Sequence, residues 1–152
     1  AYQSRSTRDL KVLTVLSEDD MEKFILAARD VGFSHHPRAD RHPLDEVTLY
    51  RFWLPVRETG LSTSLDLQVG SSEFHLSVIA RAASVTLAGV RVKLATREDL
   101  ILMKLVAFRP IDRADAIDLA TGADLDKAYL ELWVERLGLG ERWREVCAAL
   151  EL

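Results

Sequence analysis

The chain has 152 residues, is 48% hydrophobic, and carries 20 basic against 24 acidic side chains. That length supports one buried core and excludes two full domains. The apolar content excludes a disordered chain, and the net charge of −4 excludes an overall basic field able to hold nucleic acid without a local patch. The single cysteine, Cys147, can close no internal disulfide, which fits a reducing compartment and predicts a cytoplasmic protein. No apolar run approaches the roughly 20 residues that span a bilayer, and Ala1 to Leu10 is too polar for a signal peptide, so no membrane partner is expected. A start at Ala1 fits either a removed initiator or a segment of something longer.

Leu10 to Leu16 (LKVLTVL) places apolar groups on both alternating faces and reads as a buried strand. Ser17 with Asp20 resembles a capping box, and Met21, Phe24, Ile25, Ala28 and Val31 recur at helical spacing until Gly32. His35 to Asp45 (HHPRADRHPLD) holds two prolines and no apolar period, which predicts a loop. Val47 to Leu54 and Ser64 to Val69 read as a strand pair. A helix is predicted over Ser71 to Ala83, and a hairpin over Ser84 to Leu94 that turns at Ala88 and Gly89. Thr96, with Asp99 completing a box, caps a helix over Arg97 to Phe108, and Pro110 opens a second that Gly122 ends. Asp124 is expected to cap a third, which Gly138 and Gly140 divide from a last helix reaching Leu150. The pattern is α+β: one domain over residues 1–152, with a mixed sheet in 1–94 and a helical cluster in 95–152.

Three groups of residues carry chemistry. Asp9 and Lys11, two apart on the first strand, share a face, and Asp66 interrupts the apolar residues Leu65, Leu67 and Val69 on another strand. A carboxylate set into an apolar strand is costly unless it is paired, hydrated or bound to a cation. Asp9 and Asp66 on neighbouring strands can converge on a hard divalent ion; equally, either can form a structural ion pair with Lys11. In the second group, Lys104 lies among Leu102, Met103, Leu105 and Val106, and Asp112, Asp115 and Asp118 recur every three residues on the next helix. Asp112 and Asp115 are the nearest partners for Lys104 in sequence, although acids near a helix start also serve as a solvated face. The third group is the loop with His35, His36, His42, Asp40 and Asp45, which lacks the spacing that fixes a zinc site. With Arg38 and Arg41 it can instead touch a phosphate backbone or stay solvated. Trp53, Trp133 and Trp143 fit packing.

The ordered segments AYQSRSTRDLKVL, LDLQVG and TREDLILMKLVAFRPIDRADAIDL resemble nucleotidyltransferase-fold proteins of the abortive-infection toxin type, over most of residues 1 to 121. The resemblance implies a nucleotidyltransferase-like mixed sheet with flanking helices. It also implies magnesium-dependent transfer of a nucleotide from a nucleoside triphosphate to an RNA or protein hydroxyl, with RNA or an antitoxin protein as partner. Asp9 then matches the first metal-binding catalytic carboxylate and Asp66 the third. Arg5, Lys104, Arg109, Asp112 and Asp115 match the nucleotide-binding positions. The sequence departs from the family pattern in that the family's second carboxylate falls on Lys11, and the Gly-Gly or Gly-Ser turn that the family places a few residues ahead of the position of Ala1 is not part of this sequence. Two expectations follow: a trimmed piece of a longer protein, or a catalytically inactive scaffold of the same fold that binds a partner protein or nucleic acid.

Overall fold

The computed structural model describes residues 9–44, 47–56 and 61–150, with Asp9 and Leu61 described by their backbone alone. The chain divides into two compact units, Ala1–Ile79 and Ala80–Leu152. The architecture is α+β, with a mixed four-stranded sheet, a separate two-stranded sheet and six helices among the described residues.

In the first unit, β1 (Asp9–Thr14) leads into α1 (Glu18–Asp30), followed by β2 (Arg41–Leu44), β3 (Val47–Val56) and β4 (Leu61–Gly70). The sheet order is β1-β4-β3-β2, with β1 parallel to β4 and the other pairs antiparallel. Ser17 caps α1 as predicted, its Oγ accepting from the Asp20 amide at 3.1 Å. The helix buries Met21 and Ala28 in a core with Phe52 of β3 and Leu67 of β4, where Phe24 meets Phe52 edge to face with ring centroids 5.4 Å apart.

Two expectations are corrected here. β1 is an edge strand and not a buried one; Leu10 is 64% exposed. Apolar residues on both faces of a short run cannot tell a central strand from an edge. Within the stretch predicted to be a loop, Arg41–Leu44 forms β2, the opposite edge. Pro43 fits there because an edge strand leaves one side of its backbone unpaired.

After β4 comes α2 (Glu73–Arg81), which opens beside Gly70; a Cβ at Gly70 would run into the imidazole of His75. The second unit holds β5 (Ala83–Leu87), β6 (Val90–Leu94), α3 (Arg97–Ala107), α4 (Pro110–Ala120), α5 (Lys127–Arg136) and α6 (Gly140–Leu150). The hairpin turns at Ala88 and Gly89, both at positive φ, the backbone twist that a two-residue hairpin favours. Thr96 caps α3 by accepting from the Asp99 amide at 3.3 Å. The helix ends where Phe108 turns left-handed, and Arg142 of α6 donates to the freed carbonyls of Leu105 and Val106 at 2.8 and 2.9 Å. α5 is capped by Asp126, not by Asp124: the Asp126 carboxylate accepts from the Tyr129 amide at 3.1 Å. Ile101, Leu102, Leu105, Ala116, Leu130 and Val146 are buried among these helices. No helix among the described residues is long and apolar enough to cross a membrane.

Candidate functional site

The sheet of the first unit carries a row of charges that its register dictates. Lys11 on β1 and Arg51 on β3 are both the direct neighbours of Asp66 on β4, so the three side chains stand on one face. Asp66 is buried, and the Arg51 guanidinium grips it with both arms: Nε donates to Oδ1 at 2.7 Å and Nη2 to Oδ2 at 2.8 Å. The Lys11 ammonium lies 4.0 Å from Oδ2 and is mostly exposed. The Arg51 hydrogen bonds hold the Asp66 carboxyl below its usual range against the opposing effect of burial, with the charges of Arg51, Lys11 and His42 adding to the same side. Arg51 also lies over Trp53, 5.7 Å from the ring centroid, and the indole N–H of Trp53 donates to Asp40 at 3.1 Å. Asp9 sits on the strand adjacent to Asp66, opposite Ser64, and its side chain lies outside what the structure describes, as do Arg5 and Asp45.

A hard divalent cation needs carboxylate lone pairs that are free to face it. The one described carboxylate of this row spends both oxygens on a guanidinium and has an ammonium as its other neighbour. In this arrangement the charge of Asp66 is already compensated by Arg51 and Lys11. Among the described residues no three His, Cys, Asp or Glu side chains form a group that could hold a metal ion. The histidines of the first unit have separate tasks. The His35 ring stacks on Phe52 at 4.8 Å, and its Nδ1 lies 2.8 Å from the Arg51 carbonyl. His36 Nδ1 accepts from the amides of Arg38 and Ala39, and His42 pairs in register with Leu49.

The second group lies within the second unit. Lys104 of α3 donates to Asp112 at 3.0 Å and to Asp115 at 2.7 Å, both on α4. Arg109, between the helices, donates through its backbone amide and Nε to Oδ2 of Asp112 and through Nη2 to Oδ1. Asp112 is buried. Burial alone would raise its carboxyl, but the hydrogen bonds from Arg109 and Lys104 prevail and lower it to about 2. Burial likewise acts to lower the Lys104 ammonium, and the bonds to Asp115 and Asp112 outweigh it and raise it. Asp118, third in the acidic repeat, is exposed. The repeat is thus divided between a charge lock over the α3–α4 junction and a solvated position.

Sequence reasoning missed Arg51 and a third network. Asp99, fully buried at the start of α3, accepts from Thr96 Oγ1 at 2.7 Å and from the Tyr129 hydroxyl at 2.6 Å. Arg81 lies over the Tyr129 ring at 3.6 Å, with its Nε 3.6 Å from Asp99. The available signal for Arg51 was a lone cation inside the apolar run VTLYRFWL, a counterpart to the lone acid in LDLQVG.

Fold and site together define an α+β protein whose interior carboxylates are closed by arginine and lysine. No protein-family model matches the chain, and no curated protein matches it.

Proposed function

We propose that the chain is a nucleotidyltransferase-like scaffold that acts by binding a partner and not by metal-dependent nucleotidyl transfer. One observation carries this reading: the Lys11–Asp66–Arg51 row. The resemblance assigns carboxylates to positions 11 and 66, where they would face each other across parallel strands. Here the first is an ammonium, and the second is neutralised by a bidentate guanidinium. A fixed cation in that place repels a metal ion and already supplies the charge compensation that the metal would give. The Lys104–Asp112–Arg109 lock supports the same reading, since its two cations are engaged with carboxylates of α4, Lys104 from the preceding helix and Arg109 from the cap position.

The test is calorimetric titration of the full chain with ATP, GTP, CTP and UTP, each with magnesium. The scaffold reading expects no magnesium-dependent heat with any of them. Saturable heat that needs both magnesium and a triphosphate would replace it with the transferase reading.

A further inference from the structure

The hairpin of β5 and β6 is a two-faced ribbon. Its register pairs Ala83 with Leu94, Val85 with Val92 and Leu87 with Val90, so six apolar side chains share one face. Ser84, Lys93, Thr86 and Arg91 share the other. The apolar face is open at both ends, where Leu87, Val90 and Leu94 are 58%, 62% and 53% exposed, and half-buried at its centre, Val85 and Val92. Among the described residues neither strand pairs with any strand but its partner, so each offers an open edge. An open edge beside an exposed apolar face is the arrangement that accepts an added strand.

The charges decide what that strand must be. Arg91 and Lys93 alternate with Val90, Val92 and Leu94 along β6, and both are exposed. Lys93 makes one long bond, 3.4 Å to the Ala82 carbonyl. A second copy of β6 laid antiparallel on this edge would set Arg91 and Lys93 against their own equivalents, and like charges directly opposite are destabilising. A segment with acidic residues at those positions gains a cross-strand ion pair at each, while its alternate apolar residues extend the Val90, Val92 and Leu94 face. We infer that the β6 edge binds an extended polypeptide segment of alternating acidic and apolar residues by strand addition. The inference rests on the scaffold reading for its biological role; its own test needs neither nucleotide nor metal.

The probe is a peptide of about seven residues alternating valine and glutamate, near the length of one strand, titrated into the full chain and followed by fluorescence anisotropy. Three control peptides accompany it: lysine in place of glutamate, the same composition shuffled, and alternate backbone amides methylated. The glutamate peptide is expected to bind, and the lysine and shuffled peptides to bind at least about tenfold more weakly. Methylation should abolish binding because it removes the edge hydrogen bonds. The Arg91→Glu/Lys93→Glu variant should prefer the lysine peptide, and Arg91→Gln/Lys93→Gln should lose discrimination, with circular dichroism confirming both folds. No binding of the glutamate peptide, equal binding of the glutamate and lysine peptides, or binding unaffected by methylation overturns the inference. So does sedimentation showing a homodimer that Arg91→Glu/Lys93→Glu abolishes, since the edge would then belong to a second copy. A failure here leaves the calorimetric test of the scaffold reading untouched.

Discussion

Replacing Arg51 by methionine removes the fork from Asp66 while keeping an unbranched stem beside Trp53. The carboxylate stays buried, with Lys11 4.0 Å away as the nearest remaining cation of the row. Stripping one partner from a buried ion pair costs about 3–5 kcal/mol. The Arg51 side chain is one-third exposed, so a loss of about 3 kcal/mol, at the lower end, is expected. Removing both charges in Arg51→Met/Asp66→Leu leaves nothing stranded and should return to within about 1 kcal/mol of the parent, recovering about 2 kcal/mol of what Arg51→Met alone loses. The sign of the pH dependence follows from the same geometry. In the parent the folded Asp66 carboxyl lies below its unfolded value, so its contribution is full above the unfolded value and is lost as pH falls through the folded one. In Arg51→Met burial raises that carboxyl, so acidification should narrow the gap between variant and parent. Hydrogen exchange of β3 and β4 amides at neutral and acid pH reads this locally, with α3 and α4 amides as an internal control. A cost below about 1 kcal/mol, or a double variant as unstable as the single, would refute the claim that the fork neutralises Asp66.

Other outcomes follow from the same contacts. Asp112, held at about 2, should contribute about 2 kcal/mol at neutral pH and lose it as pH falls from about 4 toward 2; acid unfolding of Asp112→Asn should lack that step. Lys104→Met, with Arg109 still on Asp112, should cost about 1–2 kcal/mol in urea unfolding and leave the fold intact by circular dichroism. Tyr129→Phe keeps the ring under Arg81 but takes a donor from buried Asp99, so a loss of about 1–3 kcal/mol is expected in thermal unfolding, and Tyr129→Leu should lose more. Gly70→Ala should destabilise by about 1–3 kcal/mol through its collision with His75, and in urea melts Gly70→Ala/His75→Ala should cost less than the sum of the two single variants, because the second change removes the ring that the first meets.

What could be read from the sequence was what local chemistry determines. Ser17, Thr96 and Pro110 mark helix starts because each meets an orphaned amide, or lacks one, within a turn of its own position. The turn at Ala88 and Gly89 and the proximity of Lys104 to Asp112 and Asp115 were equally local, the latter because only two residues separate α3 from α4. Asp124 and Asp126 are both acceptable caps by type, and only packing chooses between them. The Asp66 row was half legible: a costly carboxylate announced a partner, but naming Arg51 needs the β3–β4 register, which no local signal in this pair supplies. β2 was hidden because its four exposed residues carry no periodicity, and its place comes from pairing with β3 alone.

The central claim is that fixed cations close Asp66 to a metal ion. Its most direct measurement is the Asp66 side-chain carboxyl carbon signal in NMR, followed through a magnesium titration of the parent and of Lys11→Asp/Arg51→Met. The parent resonance should stay in place under a large excess of magnesium, while the double variant, which exchanges an ammonium for a carboxylate and frees both Asp66 oxygens, should shift and saturate. A parent Asp66 signal that shifts and saturates with magnesium would contradict the account.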